Sequence, residues 1–362
     1  MNGKKVGALG SLIALCGVLA ACSSSSSGSA TAATGQAGGA GGDTPKTSVK
    51  FMLANPTITL GHTQLAVASE QGYFSGNGVN FSLLTSQGTA AVVQAVAAGT
   101  ADMGQADTLS LDTAATKGVS NVTAVCSYVA ANIYSIAVPA SSSIKTVADL
   151  KGKKIGLTSL ATGVYYNAEV LLDQAGLSPS DATFVTLGSS AALLHALQGG
   201  QVDAVATIDT DLGNYKNANF PVRVFQPSGP FQWQWNVIVA NNAFLASHKA
   251  AVAGTCKAIQ EGEYFAVTYP ADAVKDYQAY GGDTTGLTTD QAAAEVMARA
   301  TPGFKAYAAG GNQWGWINTA QMQSLANLYQ SLKLYDTAPT VKAYYSDALV
   351  SQLQFSKSTI KP

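Results

Sequence analysis

The sequence predicts an α/β protein of two related lobes, each built on a parallel sheet, with a ligand cleft between them. The first observation is an internal repeat. Ala90-Ala91-Val92-Val93-Gln94-Ala95-Val96, followed by Gly99 and Asp102, recurs 101 residues later as Ala191-Ala192-Leu193-Leu194-His195-Ala196-Leu197, Gly200 and Asp203. Each copy reads as a short helix with an apolar stripe, stopped by Gly and followed by a strand. The period is about twice that of a solenoid repeat, so two lobes fit better than an array. The second observation is the order of elements before the first copy: strand, helix and strand, which calls for a parallel sheet with right-handed crossovers. The third is size, since 362 residues with 47% apolar content can bury a core in each lobe.

Taken in order, residues 49–54 read as a strand that ends at Asn55-Pro56-Thr57. A helix is expected over 61–71, closed by Gly72, and a strand over 79–84. Gln87-Gly88-Thr89 then leads into the first repeat helix. Two further apolar β runs, 122–129 and 133–138, complete a first lobe assigned to 48–140. The second lobe, 141–236, opens with a helical turn at Asp149-Leu150, a strand over 154–157 and a helix running to Gln174. A strand over 183–187 and Gly188-Ser189-Ser190 precede the second repeat helix. The apolar run 235–240 returns the chain to the first lobe, and 237–362 completes it with mostly helical segments.

The N-terminus reads as a targeting segment. Lys4 and Lys5 precede an apolar run over 6–18, too short to span a bilayer comfortably. It closes on Leu19-Ala20-Ala21-Cys22, which resembles the lipobox of bacterial lipoproteins. That resemblance implies a signal peptide over 1–21, lipidation of Cys22 and export to the periplasmic or extracellular face of the membrane. Residues 23–47 are Ser, Gly, Ala and Thr with almost no charge, a flexible tether with a reach of about 25–30 Å.

Composition excludes several classes. Charged residues are 11% of the chain and its net charge is −1, so there is no nucleic-acid footprint. Arg223 and Arg299 are the only arginines, which argues against a multi-Arg anion clamp. His62, His195 and His248 are far apart, so neither a metal site nor any other cofactor is expected. No G-x-S-x-G, H-E-x-x-H or P-loop appears, and Ser142-Ser143-Ile144-Lys145 matches S-x-x-K by chance, away from any helix start. Cys126 and Cys256 lie in apolar contexts and read as two buried thiols, although export permits a disulfide.

Three further stretches carry a resemblance. Ile144-Lys145-Thr146-Val147-Ala148-Asp149-Leu150-Lys151-Gly152-Lys153-Lys154-Ile155-Gly156, then Gly200-Gln201-Val202-Asp203-Ala204, and the earlier Ala66 to Phe74, occur in an order similar to the extracytoplasmic solute-binding proteins of bacterial ABC importers. The branch resembled, over roughly residues 50–276, binds nitrate, aliphatic sulfonates, taurine or thiamine-precursor pyrimidines. It implies the type II periplasmic-binding-protein fold, with two crossovers between lobes, a small-molecule ligand, ABC permease and ATPase partners, a monomer, and no enzymatic role. Two departures leave the ligand open. The loop Leu160-Ala161-Thr162-Gly163 replaces a Gly-Ser-rich one, and Asp209 is followed by Thr210 instead of Pro. An enzyme of the related pyrimidine-synthesis type, or a sensor on the same fold, are the alternatives.

In open α/β sheets ligands sit beyond the carboxyl ends of strands, at helix N-termini. The candidate ligand-binding residues are therefore Thr57, His62, Gln87, Gly88, Thr89, Asp107 and Thr108 from the first lobe. The second lobe offers Thr158, Thr162, Tyr165, Ser189 and Asp209, with Trp235 at the crossover. His62 reads equally as a ligand contact or a solvated helix-start residue. Phe231, Trp233 and Trp235 share one strand face and read more readily as packing than as stacking on ligand. His195 reads as a surface position, and Asp102 and Asp203 as acceptors for local backbone donors.

Overall fold

The computed structural model describes residues 46–129, 131–160, 162–228, 236–309 and 313–362. The leader, Cys22, the tether up to residue 45, and Phe231, Trp233 and Trp235 lie outside the described residues. Among the described residues no helix is long and apolar enough to cross a membrane.

The first half contributes β1 (Thr47–Leu53), α1 (Thr63–Glu70), α2 (Tyr73–Gly76), β2 (Val79–Thr85), α3 (Thr89–Ala97), β3 (Met103–Asp107), α4 (Thr108–Thr116) and β4 (Val122–Val129). Then come β5 (Tyr134–Pro139), β6 (Lys154–Leu157), α5 (Gly163–Gln174), β7 (Thr183–Thr186), α6 (Ser190–Gln198), β8 (Ala204–Ile208), α7 (Asp209–Asn217) and β9 (Val222–Phe225). The chain ends with β10 (Asn236–Asn241), α8 (Asn242–Ser247), α9 (Lys249–Thr268), α10 (Pro270–Ala279), α11 (Thr289–Ala309) and α12 (Thr319–Ser331).

Two five-stranded sheets result, ordered β2-β1-β3-β10-β4 and β7-β6-β8-β5-β9. The orders are equivalent strand for strand, so the repeat seen in sequence extends to whole lobes. Both sheets are mixed, which corrects the expectation of parallel sheets. β10 runs antiparallel to β3 and β4, and β5 antiparallel to β8 and β9. The reason is topological. A strand arriving from the other lobe enters at the cleft end, with Asn236 opposite Asp107 and Tyr134 opposite Ile208. It must therefore run against the strands that finish there. β5 accordingly belongs to the second sheet, so the chain crosses before Tyr134 and not at the expected boundary of 140.

The repeat has a physical job. Asp102 and Asp203 each follow a repeat helix, and each carboxylate accepts from a backbone N–H of the equivalent strands β1 and β6, Lys50 at 2.7 Å and Lys154 at 2.8 Å. Gly99 and Gly200 turn the helix ends with φ of +72° and +66°, a left-handed conformation that disfavours side chains. The apolar stripe packs one face of each sheet: Val92, Val93 and Val96 in the first lobe, Leu193, Ala196 and Leu197 in the second. Val49, Phe51 and Leu53 alternate onto the opposite face, toward α1 and α9. His195, on the outer side of its helix, is exposed.

The C-terminal helices cover the first lobe but do not stop there. α11 packs against α9 and α10 and also against α7 of the second lobe. Cys126 of β4 and Cys256 of α9 form a disulfide, with Cα atoms 6.4 Å apart. This corrects the reading of two thiols. Their apolar contexts reflected a bond buried between sheet and helix, and a separation of 130 residues hid the pairing. Trp314 packs in the core, stacked between Tyr307 and Phe355.

Candidate functional site

Strand ends from both sheets meet across one cleft. β1 finishes at Leu53 before Ala54 and Asn55, and β2 before Gln87-Gly88-Thr89. In the second lobe β6 leads into Thr158 to Gly163, β7 into Gly188-Ser189-Ser190, and β8 into Thr210 and Asp211. These loops enclose an inner cavity of about 110 Å³ and an outer vestibule of about 470 Å³. Ala54, Asn55, Thr59, Thr158, Thr162 and Ser190 line both, so the two spaces are continuous.

The expected residues divide by position. His62 and Thr89 line the inner cavity, Thr57, Gln87, Gly88 and Ser189 the vestibule, and Thr158 and Thr162 both. Asp107, Thr108, Asp209 and Tyr165 line neither. Asp107 and Thr108 are fully buried behind the wall, where Asp107 caps α4 by accepting from Ser110 N–H and Oγ–H at 2.8 and 2.9 Å. Tyr165 turns into the second lobe and packs edge-on against Phe184. Ser142 and Lys145 do not form a helical pair, since Lys145 Nζ donates to the Ser142 carbonyl. The cavity also gathers Gln105, Tyr134, Thr207 and Asp211, which the sequence did not single out, and Arg299, which it marked only by its rarity.

Three helices open at the cleft, α3 at Thr89, α5 at Gly163 and α6 at Ser190. Each presents free backbone N–H groups and roughly half a positive charge at its N-terminus. The guanidinium that lines the inner cavity is already paired. Asp209 is held by Arg299, whose Nε donates to both carboxylate oxygens at 2.9 Å and whose Nη2 lies 2.8 Å from Oδ1. Arg299 Nη1 also donates to the Gly61 carbonyl at 3.2 Å, so one buried guanidinium ties the two lobes together. His62 is buried, which excludes the solvated reading. Burial first, and the Arg299 charge second, push its pKa down to about 3. Its Nδ1 accepts from Thr59 N–H at 3.0 Å, leaving the proton on Nε2, so His62 is a neutral donor. Asp211 accepts from Thr207 Oγ1 at 2.7 Å, and burial raises its pKa, favouring the neutral acid. Among the described residues no group of His, Cys, Asp and Glu is arranged to hold a metal ion.

This arrangement suits a small solute whose acceptor atoms meet helix N-termini and hydroxyls, inside walls drawn from both lobes. Comparison with known proteins places the architecture. A family model described as NMT1/THI5 like matches residues 59–273. The chain belongs to the NMT1/THI5-like family. The matched span begins at Thr59, after β1, and runs through β10 into α10. Among solved structures, this NMT1/THI5-like chain is similar to the alkanesulfonate-binding protein SsuA from Xanthomonas axonopodis pv. citri bound to MOPS. The TM-score is 0.64 at 18% identity, covering 84% of this chain and 99% of that one. The periplasmic aliphatic sulphonate binding protein SsuA from Escherichia coli gives 0.64 at 18%, covering 83% and 97%. The periplasmic nitrate-binding protein NrtA from Synechocystis PCC 6803 gives 0.62 at 12%, covering 85% and 88%. The fold is therefore that of the periplasmic binding proteins, α/β and two-lobed. A search of curated protein sequences returns no match.

Proposed function

We propose that this protein is the solute-binding component of an ABC importer, capturing a small anionic or acceptor-rich organic solute between its lobes. The observation that carries the reading is the convergence of the α3, α5 and α6 N-termini on one interlobe cavity whose guanidinium, Arg299, is paired with Asp209. Oriented N–H groups stabilise an oxyanion without arginine, and ligand contact with both lobes would drive hinge closure. The sulfonate- and nitrate-binding proteins named above support the same ligand class. Binding is favoured over catalysis because the cavity lining, among the described residues, contains neither Cys nor Lys, and the basic nitrogen of His62 is already occupied. On this reading Cys22 carries the lipid anchor, the tether stands the body off the outer face of the membrane, and the loaded monomer delivers solute to a permease.

A thermal-shift panel of sulfonates, nitrate, taurine, carboxylates and pyrimidines tests this. A ligand at 100 times its Kd adds about 2.7 kcal/mol of stability. Native mass spectrometry of the purified protein should also show a retained small molecule at one per chain. A panel without a single shift, together with a bare mass, contradicts the proposal.

A further inference from the structure

Gln105 sits midway along β3, lines the inner cavity and is 8% exposed. Its Nε2 donates to Asn236 Oδ1 at 3.2 Å, and Asn236 in turn pairs with Tyr134 Oη across the crossover. Its carbonyl Oε1 is buried and has no hydrogen-bond partner. A buried acceptor left unpaired costs free energy, and at the wall of a cavity a water or a bound solute supplies the missing donor. His62 Nε2–H and the helix N-termini supply the opposite chemistry, donors that a solute's acceptor atoms would meet. We infer that Gln105 is a specificity-determining residue that reads an N–H or O–H group on the solute. The ligand then carries a hydrogen-bond donor as well as its anionic or acceptor-rich end, which excludes bare oxyanions such as nitrate as the best ligand. The inference rests on the solute-binding reading above and narrows it.

Matched probes separate the two claims. Ethanesulfonate, 2-aminoethanesulfonate and 2-hydroxyethanesulfonate share one anionic head and differ only in the donor. Propionate, 3-aminopropionate and 3-hydroxypropionate repeat the comparison with a carboxylate. Calorimetric titration of the wild-type protein should show a donor-bearing probe bound at least about 10-fold more tightly than its donor-free parent. In Gln105→Met, which keeps the side-chain volume, that preference should shrink to within about twofold. Equal binding of parent and donor-bearing probes by the wild type overturns the role of Gln105 and leaves solute binding standing. So does a preference for the parent, which would place Nε2 toward the ligand, or a preference that survives Gln105→Met. Failure of all six probes to bind overturns the role of Gln105 in reading these solutes, and together with a bare mass and a panel without a shift it overturns both readings. The wild-type comparison stands even if the variant does not fold.

Discussion

Arg299 shows how much depends on single side chains here. It is one of two arginines, buried, and it satisfies Asp209 of the second lobe and the Gly61 carbonyl of the first. Removing it would leave Asp209 as an uncompensated charge at a site where its side chain is 14% exposed. Arg299→Met should therefore cost about 3–5 kcal/mol in chemical denaturation. A loss under 1 kcal/mol would show that the pair is solvated in solution. Sequence singled out Arg299 by its rarity but could not place it. It reaches the cleft from α11, 90 residues after Asp209, and no local period encodes that approach. The loop residues Thr57, Thr89, Thr158, Thr162 and Ser189 were legible because strand–loop–helix junctions have local signals. Gln105, Tyr134 and Asp211 were not, since a polar residue inside or just after an apolar strand looks the same whether it meets a cavity or a neighbour.

At the level of elements, the repeated helix–Gly–Asp unit is scaffold. The carboxylates of Asp102 and Asp203 stitch each repeat to β1 or β6, outside the cavity lining. Asp203→Ala should cost about 1 kcal/mol of stability. Gly200→Ala, which forces a side chain into φ of +66°, should cost about 1–2 kcal/mol. Both should leave ligand affinity within twofold in calorimetry, whereas Thr89→Ala, at the cavity and the start of α3, should weaken it. Equal affinity losses from scaffold and cavity substitutions would contradict this division. Repeat, helices and strands were readable from period and punctuation. The reversed direction of β5 and β10 was not, because it follows from where the chain crosses between lobes and not from the composition of either strand.

For the whole molecule, two features set how stability responds to conditions. The Cys126–Cys256 bond closes a loop of 130 residues between β4 and α9, so reduction should lower stability by about 2–5 kcal/mol. Proton linkage comes from buried groups of both kinds. His62, at about 3 against its usual 6.5, stays neutral in the fold while the unfolded chain takes up a proton, so it makes stability rise from pH 3 to 6.5. Burial raises Asp112 and Glu295 to about 7 and Glu263 to about 8, from 3.8, 4.5 and 4.5. The folded protein then holds protons that the unfolded chain has already released, and stability falls as pH rises through those values. Above pH 6.5 only the acids remain in play, so Tm should decline between pH 6.5 and 8.5. A flat or rising Tm there would mean these carboxyls are ionised in the native state.

The central claim, that one solute is held between the lobes at the strand ends, is tested most directly by filling the space. Thr158 lines both the inner cavity and the vestibule from the second lobe. Calorimetric titration with the tightest ligand of the panel should give one site per chain for the wild type. For Thr158→Trp it should give no measurable heat, at a Tm within a few degrees of wild type. Undiminished one-to-one binding by a folded Thr158→Trp protein would put the ligand elsewhere and contradict the account.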